Sequence, residues 1–200
     1  MNDAFLKIQL TYVRELYAKL PDDMDKSLQA VREHDVFHFK AFGQPCSITP
    51  KGIVLGGERL TGPLGVLIAL YARHARRDEV QLEPPKAFAQ MNGSLPYQGA
   101  FRVRSEQSLV PHVDDIKGSM DRIMRAFDGH ENKDASGDFS FTLFPLPKIP
   151  LCYIFYFADE EFPASVTCLF AANAESFMPV DGLADVGEYT AKKLIEVITP

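Results

Sequence analysis

Residues 138–170 carry three aromatic-rich stretches, and this region constrains the fold more than any other part of the chain. It reads DFSFTLFPLPKIPLCYIFYFADEEFPASVTCLF. In the first stretch Phe139, Phe141 and Leu143 recur at every second position, which is typical of a strand. Residues 151–157 are apolar at almost every position, so we expect a central strand that is covered on both faces. The region therefore predicts the core strands of a sheet.

An acidic corner, Asp159-Glu160-Glu161-Phe162-Pro163, separates the second stretch from the third. In an extended chain Asp159 and Glu161 point the same way, so their carboxylates can converge on a cation or work as an acid/base pair. We take Asp159, Glu160 and Glu161 as candidate ligand-binding residues. The alternative is a solvated hairpin loop in which Phe162 is buried in the core and Pro163 rigidifies the return.

The rest of the chain predicts helices and a small group of strands. In order, the patterns indicate a helical N-terminal segment with two helices, a small β meander and a buried helix, at residues 1–34, 35–60 and 64–71. Further helices are expected at residues 97–109 and 113–127 and after Asp181, and residues 130–138 read as an exposed polar loop. The predicted fold class is α+β, with largely antiparallel sheets packed with helices in a single domain over residues 1–200.

Composition excludes several classes of function. The formal net charge of −6 argues against a general nucleic-acid binder, which usually carries a basic face. The three cysteines form no CxxC pair and the five histidines show no HExxH spacing, so the sequence encodes no iron–sulfur cluster or structural zinc site with the usual spacings; no metal ligand is assigned and no cofactor is identifiable. The N-terminus lacks the features of a signal peptide, and no apolar run is long enough for a membrane span, so we expect a soluble, cytoplasmic protein without a membrane partner.

The two cysteines that flank the acidic corner raise a question of strand register. If their strands form a hairpin, pairs whose residue numbers sum to 320 place Cys152 directly opposite Cys168. A sum of 321 places the two thiols on opposite faces of the sheet. The loop length does not decide between these registers.

A second group of candidate ligand-binding residues lies in the irregular middle of the chain. Lys86, Phe88 and Arg102 combine one aromatic ring with two cations. Together they would suit a pocket for an anionic ligand. The sequence alone does not show that they meet.

Short motifs in the second half resemble the DUF3786 family, a domain of unknown function. They are GDFSF at residues 137–141, LPKIPL at 146–151, DEEFPA at 159–164 and Leu169-Phe170, and upstream LIALY at 67–71 fits the family's buried helix. The resemblance covers nearly the whole chain. It implies an anaerobic source and, because some members carry an iron–sulfur domain, a redox or corrinoid neighbourhood, but no established activity. This chain lacks cluster cysteines, so such a redox partner would be a separate protein.

From these observations we expect an uncharacterised, non-catalytic ligand-binding or accessory module associated with anaerobic redox or metalloprotein metabolism. It would bind a small molecule or a redox protein in a groove between the core sheet and its helices. One alternative is an enzyme that uses Asp159 and Glu161 as acid/base groups or metal ligands. Another is a structural or oligomerisation domain, and the sequence does not give the oligomeric state.

Overall fold

The computed structural model describes residues 2–133 and 137–199. Within these ranges two antiparallel sheets and the surrounding helices form an α+β fold, as the sequence predicted. The strands are β1 Val31–Glu33, β2 Val36–Ala41, β3 Gln44–Thr49, β4 Gly52–Leu55, β5 Glu58–Arg59, β6 Lys86–Ala87, β7 His130–Glu131, β8 Phe139–Leu146, β9 Ile149–Tyr156 and β10 Ser165–Phe170. The α-helices are α1 Asn2–Ala18, α2 Met24–Leu28, α3 Pro63–Arg73, α4 Gln98–Phe101, α5 Val113–Gly118, α6 Met120–Phe127 and α7 Val180–Ile198.

The first sheet is a meander in which β1 to β5 follow one another in chain order. The predicted strands between residues 35 and 60 are confirmed. The prediction of a second helix reaching His34 is wrong beyond Leu28, because Gln29 takes a left-handed conformation with φ 52° and ends α2. The next residues, Val31–Glu33, pair with β2 and extend the sheet by one strand.

Two predicted helices in the middle of the chain are less regular than the apolar spacing indicated. The helical stretch after Tyr97 consists of α4, a π-helix at Arg102–Glu106 and a 3₁₀-helix at Gln107–His112. The helix expected over residues 113–127 is broken into α5 and α6 at Ser119, which has φ −108° and ψ 9°. The spacing of apolar residues predicts which face of a helix is buried. It does not indicate where one residue has a backbone conformation that breaks the helix.

The second sheet has the strand order β6-β10-β9-β8-β7, so β9 is central as predicted. Its inner face is packed against the helices and is fully buried at Leu151, Tyr153 and Phe155. The expectation that both faces are covered is wrong. On the outer face Cys152 and Ile154 are only partly buried, and Tyr156 is 40% exposed.

The polar loop expected at residues 130–138 begins as a strand. His130 pairs with Thr142 and Glu131 pairs with Phe141, so β7 forms one edge of the second sheet. The middle of the predicted loop, residues 134–136, lies outside the described residues. None of the helices described in residues 2–133 and 137–199 is long and apolar enough to cross a membrane.

The π-helix brings a carboxylate against the inner side of β10. Strand β6 pairs only with Leu169 and Phe170, so it ends before it reaches Cys168. The backbone N–H of Cys168 instead donates to Glu106 Oε1 at 3.0 Å. Glu106 thus supplies the hydrogen-bond acceptor for an amide to which the short edge strand offers no backbone carbonyl. Burial raises the pKa of Glu106, while this hydrogen bond and Arg102 act in the opposite direction.

We predict that Glu106→Gln stabilises the fold increasingly as pH rises. The folded protein holds the Glu106 proton more tightly than the unfolded chain does, so the free energy of unfolding falls as pH rises above the ordinary glutamate pKa of about 4.3. Glutamine keeps the acceptor for Cys168 without the charge. Urea unfolding from about pH 4 to pH 7 should show a growing advantage of the variant over the wild type. The exposed Glu160→Gln serves as the control, and a pH-independent difference for Glu106→Gln would contradict this account.

Candidate functional site

The acidic corner lies on the surface, and its geometry is that of a capped turn. The Asp159 carboxylate accepts the backbone N–H groups of Phe162 at 2.7 Å and Glu161 at 2.8 Å. These hydrogen bonds lower the pKa of Asp159. The ring of Phe162 is 66% exposed, so the expectation that it is buried in the core is wrong. The corner is not strand, and Asp159 directs its carboxylate into its own turn.

The structure does not gather Lys86, Phe88 and Arg102 into one pocket. Phe88 is buried and stacks on Phe101, with ring centroids 4.3 Å apart. Lys86 forms an ion pair with Glu175 at 3.6 Å, and Arg102 is exposed at the start of the π-helix. In residues 2–133 and 137–199, no group of three His, Cys, Asp or Glu side chains is arranged to hold a metal ion.

A cavity of about 520 Å³ lies instead on the outer face of the second sheet. This volume is within the range of small-molecule sites. Apolar side chains that line it include Leu82, Pro85, Pro150, Ile154, Leu169 and Ala171. Its polar lining residues are Glu83, His130, Asn132, Lys133, Thr142 and Cys152. The six residues singled out from the sequence are absent from the described lining. The cavity is on the opposite face from the groove expected between sheet and helices.

The strand register determines which side chains form the floor of the cavity. His130 of β7 pairs with Thr142 of β8, Thr142 pairs with Cys152 of β9, and Cys152 pairs with Leu169 of β10. Directly paired residues project from the same face, so these four side chains form one row across the outer face. The pairing of Cys152 with Leu169 has the sum of 321, and Cys168 is therefore buried on the inner face.

Hydrogen bonds fix the polar part of this floor. Thr142 Oγ1 donates to Asn132 Oδ1 at 3.1 Å, and Asn132 Nδ2 donates to Cys152 Sγ at 3.3 Å. The backbone carbonyl of Asn132 accepts the Ser140 hydroxyl at 3.1 Å. Burial is the largest influence on Cys152 and raises the pKa of its thiol, which the Glu83 carboxylate raises further, while Thr142 and Asn132 lower it. Cys152 is therefore a protonated thiol at neutral pH.

The wall of the cavity is a strap, defined as residues 79–85, that leads into β6. One side chain holds two backbone groups of the strap: Asn173 Oδ1 accepts the Gln81 N–H at 2.9 Å, and Asn173 Nδ2 donates to the Glu79 carbonyl at 2.9 Å. The Ala172 N–H donates to the Gln81 carbonyl at 2.7 Å. These bonds keep Leu82 and Pro85 beside the sheet as lining residues.

A buried lysine anchors the chain just before the strap. Lys148, in the turn between β8 and β9, is only 2% exposed. Its ammonium donates to the carbonyls of Arg76 and Asp78 and lies 5.3 Å from the centre of the Phe177 ring. A buried ammonium needs such partners, because an unpaired charge inside a protein is strongly unfavourable. Burial lowers the pKa of Lys148, and the charge of Asp78 opposes this effect.

Sequence reasoning missed the residues of the cavity for identifiable reasons. Cys152 and Ile154 lie within an apolar run, which predicts a buried strand. Tyr156, two residues after Ile154 on the same face, carries a hydroxyl group, which favours a face that is partly open to solvent. Lys148 had a stronger signal, since it is a lone charge in the apolar segment LPKIPL. Asn132 had no signal of its own, because its partners come from β8 and β9.

A protein-family model described as "Domain of unknown function (DUF3786)" matches residues 21–193. No curated protein and no solved structure matches the chain.

We predict that Lys148→Met lowers the free energy of unfolding by about 1–3 kcal/mol, because the two part-buried hydrogen bonds to the carbonyls of Arg76 and Asp78 are lost. Backbone amides of the strap should also exchange faster with deuterium, since its anchor is gone. Lys51→Met is the matched control, because Lys51 is an exposed lysine in a hairpin turn of the first sheet. Equal stability and equal strap exchange in the two variants would contradict the anchoring role.

We also predict that Cys152 is the thiol that alkylating reagents modify in the folded protein. Cys46 is 3% exposed and Cys168 is fully buried, whereas Cys152 faces the cavity. Its raised pKa makes the reaction slow at pH 7 and faster at higher pH. Intact-mass and peptide analysis after iodoacetamide treatment should locate one adduct on Cys152 and none in Cys152→Ser. Equally fast labelling of Cys168 would contradict the register that buries Cys168 on the inner face.

Proposed function

The chain belongs to the DUF3786 family, and we propose that it is a non-catalytic module that binds a small organic molecule on the outer face of its second sheet. The observation that carries this proposal is the cavity of about 520 Å³ between that face and the strap. Sites for small molecules are concave and mostly apolar, with a few fixed polar groups. The row of His130, Thr142, Cys152 and Leu169 beneath the strap has this character.

The chemistry of the floor favours binding over catalysis. A nucleophilic cysteine reacts as a thiolate, and burial raises the pKa of Cys152 and keeps it protonated. Asn132 and Thr142 are engaged with one another and with the thiol. The enzyme alternative based on Asp159 and Glu161 gains no support from a turn in which Asp159 caps the backbone.

The family supports a further part of the proposal. Members that carry an iron–sulfur domain suggest that this module serves as an accessory to a separate redox protein. In that role the module would hold its bound small molecule for the redox protein. This association remains a prediction from the resemblance.

Retention of a small molecule tests the proposed function. The protein is incubated with a small-molecule extract of cells, desalted and weighed by native mass spectrometry. We expect a species heavier than the 22.4 kDa chain by one small molecule, and its loss on denaturation. Ile154→Trp, which places a bulky ring in the cavity beside Cys152, should abolish retention.

The matched control for this experiment is Tyr156→Trp. Tyr156 lies on the same strand and the same face as Ile154, but it is outside the described lining of the cavity. Both variants are first checked for cooperative thermal unfolding. A bare chain in every wild-type sample, or retention that Ile154→Trp leaves unchanged, would contradict binding at this site.

A further inference from the structure

Three polar residues of the cavity floor, Thr142, Asn132 and Cys152, already hydrogen-bond to one another, and His130 at the β7 end of the row is exposed. The chain of hydrogen bonds runs from Thr142 through Asn132 to the sulfur of Cys152. Asn132 is also fixed through its backbone, because its N–H donates to the Ser140 carbonyl at 3.0 Å and its carbonyl accepts the Ser140 hydroxyl. Such a network has little capacity left for a ligand that needs several strong hydrogen bonds.

The charged residues of the cavity are at its mouth and have opposite signs. Glu83 and Lys133 are both exposed, as is His130. The more deeply placed Cys152 is uncharged at neutral pH, because burial raises the pKa of its thiol. A charged ligand group placed over the floor would therefore lose its hydration. The described lining offers it no buried counter-charge in return, so binding of a charged group there is unfavourable.

Apolar surface surrounds this neutral floor on the strap side and on the sheet side. Leu82 of the strap is 46% exposed, and Ile154 and Leu169 face the cavity from β9 and β10. Covering these side chains removes apolar surface from water, which is the main favourable contribution that the site offers. Pro85 and Pro150 add rigid apolar surface without backbone N–H donors.

We infer that the cavity takes an uncharged, predominantly apolar organic molecule and discriminates against anions. This inference deepens the proposed function and rests on it. It differs from the expectation of an anionic ligand at Lys86 and Arg102, because those two cations are not among the residues described as lining the cavity.

Two dyes of different charge test the ligand class by fluorescence titration. Nile red is neutral and apolar, and 1-anilinonaphthalene-8-sulfonate is of similar aromatic character but anionic. We expect Nile red to bind about tenfold more tightly or better, since the sulfonate has no buried partner on the floor. Binding is assigned to the cavity by treating the folded protein with N-ethylmaleimide, which places a bulky thioether on Cys152.

The adduct should weaken Nile red binding by about tenfold or more. For Cys152→Ser, the affinity measured before and after the same treatment should be equal, which would show that the loss in the wild type requires the thiol. The decisive comparison is between modified and unmodified protein of the same sequence. Preference for the anionic dye, with adduct-sensitive binding, would overturn the neutral-ligand inference and leave the proposed function standing. Failure of both dyes to bind in an adduct-sensitive way would also overturn the inference, while retention of a cellular molecule in native mass spectrometry decides the proposed function separately.

Discussion

The buried ammonium of Lys148 is the contact on which the arrangement around the cavity depends. It joins the turn between β8 and β9 to the chain that follows α3, 70 and 72 residues earlier in the sequence. The buried lysine favours this geometry, because moving away would cost its ammonium the two carbonyl acceptors. The strap that follows is then fixed by Asn173, and its apolar side chains become one wall of the cavity.

The two faces of the second sheet differ in burial and in role. The inner face carries a cluster of aromatic rings, in which Phe139 stacks on Phe155 with ring centroids 4.6 Å apart and Phe141 packs against Phe155 in a tilted arrangement at 5.0 Å. These contacts contribute to a hydrophobic core that also includes residues of the first sheet and of the helices. Because the inner face provides this apolar burial, the fold does not require the outer face to be fully covered. The outer face is partly open at Cys152 and Ile154. The register of β9 against β10 decides which thiol belongs to which face.

Local patterns predicted the parts of the fold that depend on local physics. The three core strands, the meander and the helix at Pro63–Arg73 follow from periodicity and turn residues. The helix break at Ser119 and the early end of α2 at Gln29 depend on single backbone conformations, which apolar spacing does not encode.

The candidate site was harder to predict than the fold, for a physical reason. A run of three carboxylates is conspicuous in a sequence, yet Asp159 uses its charge to cap a turn that projects Phe162 into solvent. The cavity has no comparable local signature. It arises where a strap, a hairpin turn and four strands meet, and hydrogen bonds between residues far apart in the chain bring them together.

The central claim is that the outer face and the strap enclose a binding site. A crystal structure of the protein with the molecule that it retains from cells tests this claim most directly. The account predicts electron density for an organic molecule over Ile154 and Cys152, next to Leu82 of the strap. A strap collapsed onto the sheet so that its own side chains fill the space, or a molecule bound elsewhere on the protein, would contradict it.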